Sequence, residues 1–335
     1  MKASLEVAVA LLNWNGKRWL EKFLPGIVEK TPGAQIYVID NRSSDGSVEW
    51  VRKHFPEVKI IGLVKNYGFA GGYNRGLKQI DEEYVVLLNT DVEVTDNWLP
   101  PLLKKLKENK QIVAVQPKIK NYNRKEYFEY AGAAGGFLDN LGYPYCDGRI
   151  GNRVEKDTGQ YDREKEVFWT SGACMAVKRT PFLQSGGFDE TFFAHQEEID
   201  WAWRMRRQGY RFWYEPSATV FHVGGGNLGY ERPQKTFLNF RNNLLMLLKN
   251  LPPAKLFPVI GTRLVLDGLA GLMFLLKGKP AHTWAIVRAH FAFYRLIPQY
   301  RKKRKPPYLS RYYRDKWVML KNYLKVYKKD NIEKS

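Results

Sequence analysis

The sequence predicts an α/β fold in which a mostly parallel sheet carries helices on both faces. Between Val7 and His222, short apolar or β-branched runs alternate with stretches of helix-compatible length. Strands and helices that alternate in this way form parallel sheets, because each helix carries the chain back across the sheet. Apolar residues make up 44% of the 335 residues and aromatic residues 14%, which is enough for a sizeable core.

Each element of this pattern can be placed on the chain. The predicted strands are Val7–Leu12, Gln35–Asp40, Lys59–Val64, Tyr84–Asn89 and Ile112–Gln116. The predicted helices between them include Lys17–Lys30 and Asn97–Asn109, and the candidate N-caps for a helix after the second strand are Ser43, Ser44 and Asp45. The later elements are Val167–Lys178, a helix near Glu197–Gln208 and a strand that ends at His222.

Residues 120–165 depart from the alternation. They are rich in Gly, Tyr, Asn and charged residues, so we expect an irregular insertion or flap over a site. A second change comes near Asn250, where several prolines interrupt the chain. We therefore predict two parts, an α/β domain over residues 1–248 and a helical, basic region over residues 249–335.

The C-terminal region combines an apolar stretch with a basic tail. Leu256–Leu276 contains Arg263 and Asp267, whereas a spanning helix needs about 20 predominantly apolar residues. We expect this helix to lie in a membrane interface or to pack on the main domain. The tail Arg301–Ser335 carries half of the formal net charge of +20, which suits an anionic lipid surface or a nucleic acid. A solvated tail is the alternative.

Two acidic residues lie at the carboxyl ends of predicted strands. Asp40 closes the second strand, and Asp91 follows the fourth. In sheets of this kind, ligands bind beyond the carboxyl ends of the strands. A carboxylate there can accept a hydrogen bond from a base or a ribose hydroxyl, or ligate a hard cation that holds phosphates. Either residue alone could be a turn or N-cap residue, but the pair favours a ligand site.

Two further segments lie where a ligand could bind. Asn66–Gly76 is rich in glycine, follows a strand and opens a helix. Its backbone could approach a nucleotide closely, although a tight turn between helix and sheet would look the same. It matches neither a P-loop nor a clean dinucleotide fingerprint. His222 ends a strand just before a run of glycines, and is a candidate metal or phosphate ligand.

The densest signal is Gly186–Arg204, which places three carboxylates early on a predicted helix. Asp200 can pair with Arg204 one turn later. This leaves the adjacent Glu197 and Glu198, among aromatic neighbours, without a structural role. A partly desolvated carboxylate is a good general base and contributes about 10²–10⁴ in rate.

Together these segments resemble family 2 of the inverting glycosyltransferases, which has a GT-A fold. Within it they look closest to the rhamnosyltransferase-like branch that builds bacterial surface polysaccharides. The resemblance covers roughly residues 5–245. It rests on five segments in this order and spacing: Leu12–Gly16, Val38–Ser47, Asn66–Gly76, Leu88–Asp91 and Gly186–Arg204.

The resemblance implies a role for each segment. It makes Asp40 a ligand of the nucleotide base, Asp91 the metal carboxylate of an Asp-x-Asp motif, and His222 a second metal ligand. It makes Glu198 the catalytic base, with Glu197 as a substitute because the family has Asp where Glu198 stands. The other residues that it places at the donor are Asn13, Asn15, Arg42, Gly72, Asn74, Asn89 and Thr90; Asn89 replaces the first Asp of the motif. The residues with an acceptor or structural role near the site are Asp200, Trp201 and Arg204.

The implied reaction is a metal-dependent sugar transfer with inversion of configuration. Glu198 would take the proton of an acceptor hydroxyl, while Mg²⁺ or Mn²⁺ on Asp91 neutralises charge on the diphosphate. The donor would be a dTDP- or UDP-sugar, with rhamnose suggested by the branch, and the acceptor a glycan or lipid-linked glycan. Scarce cysteine, no readable leader and the basic C-terminal region predict a cytoplasmic enzyme, peripheral on the inner face of the plasma membrane.

Two other functions fit parts of the sequence. An NAD-linked oxidoreductase would bind nicotinamide without a metal and would have no use for Glu198. A nucleic-acid-binding protein would suit the positive charge and the aromatic residues of the tail. However, acidic residues at strand ends would repel phosphates unless a cation intervened, so we expect no nucleic-acid partner.

Overall fold

A computed structural model describes residues 6–151, 153–224, 232–319 and 321–322. Within these ranges a nine-stranded sheet lies at the centre, and three long helices follow it. The strands are β1 (Val7–Asn13), β2 (Gln35–Asp40), β3 (Lys59–Gly62), β4 (Tyr84–Asn89), β5 (Val92–Val94), β6 (Ile112–Asn121), β7 (Gly136–Leu138), β8 (Pro144–Cys146), β9 (Arg149–Ile150), β10 (Arg153–Val154), β11 (Lys165–Val167), β12 (Cys174–Lys178) and β13 (Arg211–His222). The α-helices are α1 (Lys17–Glu29), α2 (Ser47–His54), α3 (Gly68–Gly76), α4 (Leu99–Glu108), α5 (Arg179–Gln184), α6 (Glu197–Arg207), α7 (Pro233–Asn250), α8 (Pro253–Leu276) and α9 (Pro280–Lys303).

The central sheet has the strand order β11-β13-β6-β12-β4-β1-β2-β3, and β5 pairs with β13. The parallel arrangement predicted from the sequence holds for β3, β2, β1 and β4. Strand β12 lies antiparallel between β4 and β6, so the whole sheet is mixed. The chain enters β12 from the inserted segment rather than from a crossover helix, and therefore runs in the opposite direction.

Helices cover both faces of the sheet, as predicted, because successive side chains of each buried strand point to opposite sides. On β1, Val9 packs on the face covered by α1, α2 and α4, whereas Ala10 packs on the face covered by α3, α5 and α6. Each fully buried Leu or Phe contributes about 1.5–3 kcal/mol relative to an exposed position. These two cores hold the carboxyl ends of the strands in place.

The predicted segments agree with the structure best in the first half of the chain. Strands β2 and β4 have the predicted bounds, and β1 is one residue longer. Of the N-cap candidates, Asp45 serves two helices: its carboxylate accepts from the backbone N–H of Ser47 at 3.1 Å and from that of Lys17 at 2.8 Å. The residue that caps α2 is Gly46, with a φ of 75°.

The inserted segment 120–165 is more regular than predicted. Strand β6 continues through it to Asn121, and β7 to β10 form a four-stranded antiparallel sheet. Each of these four strands has only two or three residues, which is too short for an alternating pattern to be visible in the sequence.

Helix α8 carries its charges inward and its apolar side chains outward. Arg263 and Asp267 are buried, whereas Phe257 is 87% and Leu276 79% exposed. By length and composition α8 could cross a membrane, with a mean hydropathy of 1.8, and it is the one such helix in the described part of the chain. Only about a fifth of its most apolar stretch is buried, so most of its apolar surface is uncovered.

The described part of the basic tail packs on the domain. Lys303 pairs with Asp189 at 2.8 Å, and Arg314 pairs with Asp147 at 2.6 Å. The buried ring of Tyr312 stacks on Trp203, with ring centroids 4.8 Å apart. Several of the positive charges that suggested an anionic partner are therefore used within the protein, and residues 323–335 lie outside the described ranges.

Candidate active site

The predicted donor residues lie where three neighbouring parallel strands end. Asn13 closes β1 and pairs in register with Asp40, the last residue of β2. On the other side of β1, Leu12 pairs with Asn89, the last residue of β4. The carboxyl ends of these strands therefore form one edge, which is where ligands bind in such sheets.

Asp40 is held by a buried polar cluster. The amide of Asn13 donates to Asp40 Oδ1 at 3.2 Å and to the hydroxyl of Ser47 at 2.8 Å. The backbone N–H of Ser43 donates to Asp40 Oδ2 at 3.1 Å. Asn15 joins the next loop to this cluster, because its Oδ1 accepts from the backbone N–H of Ser44 at 2.8 Å. The structure thus brings Asn13, Asn15 and Asp40 together, as predicted from the sequence.

A cavity of about 350 Å³ opens beside Asp40. This volume lies within the range of small-molecule sites. Its wall combines charged and hydroxyl side chains with aliphatic ones. The lining residues include Asp40, Arg42, Ser43, Ser47, Val48, Glu49, Arg52, Ile60, Leu63 and Val64.

Two of the predicted donor residues, Gly72 and Asn74, lie on α3 and contact neighbouring parts of the fold. A Cβ on Gly72 would lie 2.6 Å from Leu12, so this glycine lets α3 pack closely on β1. The Asn74 amide donates to the Phe188 carbonyl at 2.9 Å, and its oxygen accepts from the Phe188 N–H at 2.9 Å. Both functions of the Asn74 side chain thus make hydrogen bonds within the fold, and its role at the donor stays a prediction.

Asp91 lies beside His222, as the resemblance implied. Strand β5 pairs with β13, which brings His222 Nε2 to 3.2 Å from Asp91 Oδ1. On the other side of the ring, Nδ1 lies 3.2 Å from Glu129 Oε2. Asn89 and the buried Thr90 complete the turn, with the Asn89 amide 3.4 Å from Nε2.

The electrostatics of this group are dominated by the two carboxylates. Burial lowers the pKa of His222, but Asp91 and Glu129 outweigh it and raise that pKa well above its usual value. Nothing in the sequence singled out Glu129, since it lies in the insertion, far from every recognisable motif. Its contact with His222 comes only from the fold.

These residues fit a divalent cation. Asp91 Oδ1 and His222 Nε2, which lie 3.2 Å apart, are the two atoms that would hold it. A carboxylate on the far nitrogen, as Glu129 provides, is the usual partner of a metal-bound histidine. Among the described residues no cluster of three or more potential ligands surrounds one point. A diphosphate and water would have to supply the remaining ligands.

Glu197 and Glu198 open α6, as predicted. Both carboxyl groups have a buried oxygen that accepts no hydrogen bond. Burial raises the pKa of Glu198 to about 7, although backbone N–H groups at the start of the helix lower it. Burial and the neighbouring Glu198 raise the pKa of Glu197 well above its usual range. Both carboxyl groups thus hold their protons to a higher pH than an exposed glutamate does.

The loop before α6 lies at the same edge of the sheet. The N–H of Ala70, on the first turn of α3, donates to the carbonyl of Phe193 at 3.1 Å. Lys235 on α7 interacts electrostatically with both this loop and Glu129. Burial, and to a smaller extent the positive charge of Lys235, lowers the pKa of His195 to about 4. The loop that precedes the glutamate pair therefore lies against the first turn of α3.

Of the other predicted residues on α6, Asp200 and Trp201 are buried in the core and Arg204 is partly buried. Asp200 is fully buried and accepts from Arg204 at 2.9 Å and from Lys249 at 2.8 Å. Trp201 is also fully buried, and its indole N–H donates to Ser185 at 3.0 Å. Of the acceptor or structural roles predicted for Asp200, Trp201 and Arg204, these contacts support the structural one.

The fold is that of a GT-A glycosyltransferase, a class of enzyme that uses nucleotide sugars. The family model "Glycosyl transferase family 2" matches residues 9–185, more than half of the chain, and the protein belongs to this family. It is 27% identical to an N-acetylglucosaminyl-diphospho-decaprenol L-rhamnosyltransferase of Mycobacterium tuberculosis, over 61% of this chain and 71% of that one.

Two solved structures share the fold. GalNAc-T7 with UDP, GalNAc and Mn²⁺ superposes with a TM-score of 0.60 at 18% identity, over 77% of this chain but only 50% of GalNAc-T7. The mannosyltransferase PcManGT of Pyrobaculum calidifontis, with GDP-Man and Mn²⁺, superposes with a TM-score of 0.52 at 17% identity, over 88% of this chain and 87% of its own. The fold class predicted from the sequence is confirmed.

Proposed function

We propose that this glycosyltransferase is an inverting, cation-dependent enzyme of cell-surface polysaccharide synthesis. It transfers a sugar, with rhamnose as the first candidate, from a dTDP- or UDP-donor to a hydroxyl of a glycan or lipid-linked glycan. The observations that support the proposal are Asp40 at the end of β2, the Asp91–His222 pair just after β4, and Glu197 and Glu198 at the start of α6, behind a loop that contacts α3. The name of the mycobacterial relative, a rhamnosyltransferase acting on a lipid-linked sugar, supports the choice of donor sugar and acceptor.

In this proposal each residue of the site has one task. Asp40 accepts a hydrogen bond from the base in the adjoining cavity, and Asp91 with His222 holds Mg²⁺ or Mn²⁺. The bound cation supplies charge neutralisation on the diphosphate, in keeping with the Mn²⁺ of the two solved relatives. Glu129, with its Oε2 3.2 Å from His222 Nδ1, orients the ring electrostatically.

Glu198 is the base of the reaction. Its unpaired Oε2 takes the proton of the acceptor hydroxyl, the acceptor oxygen bonds to the anomeric carbon, and the bond from that carbon to the diphosphate breaks. Attack from the face opposite the leaving group inverts the configuration. Because its pKa is about 7, Glu198 is ionised over the upper part of the physiological range.

The protein acts, in this proposal, as a peripheral enzyme on the inner face of the plasma membrane. Apolar side chains of α8 (Phe257, Val265, Leu269, Leu272, Leu275 and Leu276) and aromatic side chains of α9 (Trp284, Phe291 and Tyr294) are exposed. The exposed Lys277, Arg288 and Arg295 accompany this surface. Apolar and aromatic groups with interspersed cations suit an anionic bilayer surface rather than water.

The test is turnover with a panel of dTDP-, UDP- and GDP-sugars, with and without Mn²⁺. We expect one donor class to release its nucleotide diphosphate only with the cation, and the product to have the inverted anomeric configuration by NMR. Turnover that persists in EDTA would remove the cation from the proposal, and retained configuration would remove the single displacement. Thermal stabilisation by NADH alone would favour the oxidoreductase instead.

A further inference from the structure

The loop that leads into the catalytic helix has an unusual backbone. Phe193, His195 and Gln196 have φ angles of 64°, 71° and 71°, in a region that non-glycine residues rarely adopt. At Phe193 the ψ angle is −60°, and the N–H of Ala194 donates to the carbonyl of Phe192 at 2.7 Å. This is a γ-turn of the rare, strained kind. Such strain persists only where the surroundings hold it, and it gathers at functional sites.

Helix α7 supplies the group that holds this loop. The amide nitrogen of Asn242 lies within hydrogen-bonding distance of three loop carbonyls, those of Phe192 at 3.0 Å, Ala194 at 2.9 Å and His195 at 2.8 Å. Asn242 is fully buried. Its oxygen accepts from Nε of Arg241 at 2.9 Å, which fixes the orientation of the amide. One side chain thus stabilises the carbonyl groups on both sides of the γ-turn.

The next residue on α7 extends this support to the residue before the glutamates. The Asn243 amide donates to the side-chain oxygen of Gln196 at 2.8 Å, and the Asn243 oxygen accepts from Arg263 on α8. Arg263 lies 3.5 Å from Asp267, which in turn lies 3.4 Å from His290 on α9. A continuous line of buried polar contacts therefore runs from α9 through α8 and α7 to the start of α6.

We propose that Asn242 and Asn243 are positioning residues for the catalytic base. They keep residues 191–196 in the strained conformation that sets the position of Glu198, and Arg263 braces them from α8. The inference rests on the proposed function, because it takes Glu198 as the base. It makes the C-terminal helices part of the catalytic apparatus as well as a membrane-facing surface, so that the charges buried inside α8 have a catalytic purpose.

The test replaces Asn242 with Leu, which has a similar shape and no N–H donor. The control is Asn239→Leu, about one turn earlier on the same helix, where the half-buried side chain lies outside the set of contacts that hold the loop. We expect Asn242→Leu to lower kcat about 10²-fold, the loss that follows a displacement of about 1 Å in a catalytic group. The Kd for the nucleotide sugar with Mn²⁺ should stay within about twofold, because the donor residues lie on other elements. Asn239→Leu should behave as the parent, and Asn243→Leu should show a smaller loss of the same kind.

The pH profile separates positioning from loss of folded protein. A displaced Glu198 would be better hydrated, which would lower its pKa and move the acid limb of the kcat profile to lower pH. Asn242→Leu and Asn243→Leu leave the charge of the neighbouring Glu197 unaltered. If the variant were only partly folded, kcat would fall by the same factor at every pH, and the acid limb of the pH profile would stay at the same pH. A normal kcat for Asn242→Leu, or a loss that follows the folded fraction with an unchanged limb, would overturn the inference. A parent enzyme that transfers no sugar would instead refute the proposed function.

Discussion

Replacing Glu198 with Gln tests the consequences of burying this carboxyl group. Burial raises its pKa to about 7 from an ordinary value of 4.5. The unfolded chain ionises near 4.5, so the folded protein bears a penalty that grows as the pH rises from 4.5 to about 7. The full difference of about 2.5 pKa units corresponds to about 3 kcal/mol. An amide cannot ionise, so Glu198→Gln removes the penalty.

We therefore expect the variant to be more stable than the parent at about pH 8, by up to about 3 kcal/mol in urea unfolding, and to have no such advantage at about pH 4.5. Its transfer rate should fall by about 10²–10⁴ while nucleotide binding persists. In the parent, kcat should rise about tenfold per pH unit up to about pH 7.

The same stability difference at both pH values would show that Glu198 does not titrate as the structure indicates. A parent rate that is flat over the acid range would contradict its role as base. Glu197→Gln provides the comparison within the pair. If that change abolished transfer and Glu198→Gln did not, the role of the base would pass to Glu197.

Three other predictions concern the remaining parts of the site. Glu129→Gln should weaken Mn²⁺ binding by about 10–100-fold through loss of the carboxylate on His222, measured by titration; unchanged affinity would exclude this role. Asp40→Asn should weaken nucleotide binding by about 10–100-fold, since hydrogen bonds to charged groups contribute about 1.5–3 kcal/mol; equal affinity would show that the nucleotide base binds elsewhere. The double change Leu269→Glu and Leu272→Glu should reduce cosedimentation with anionic vesicles, whereas Gln299→Glu should not; equal losses would point to charge alone.

The parts of the fold that could be predicted from the sequence are those with strong local patterns. Strand β4 is buried on both faces and reads as an uninterrupted apolar run, so its bounds were predicted correctly. The direction of β12 could not be predicted, because an apolar run carries no information about the orientation of its neighbours. The small sheet β7 to β10 could not be predicted, because its strands are too short for an alternating pattern of apolar and polar residues to be recognised.

In the candidate site, too, local contacts could be predicted from the sequence and contacts between distant residues could not. The pairing of Asp200 with Arg204 was predictable because the two residues lie one helical turn apart. The contacts of Asp200 with Lys249, of His222 with Glu129 and of Asn242 with the loop before α6 join distant parts of the chain. No single-sequence pattern encodes such pairs. The contact of Asn74 with Phe188 could not be predicted for the same reason, since the two residues are 114 positions apart in the sequence.

The central claim is that a cation on Asp91 and a proton acceptor at Glu198 serve one bound nucleotide sugar. Calorimetric titration of the nucleotide diphosphate, with and without Mn²⁺, into the parent, Asp91→Asn and Glu198→Gln tests it most directly. We predict binding that needs Mn²⁺ in the parent, loss of that dependence and of most affinity in Asp91→Asn, and parent-like binding without sugar transfer in Glu198→Gln. Binding that is the same with and without Mn²⁺, or that survives intact in Asp91→Asn, would contradict the account.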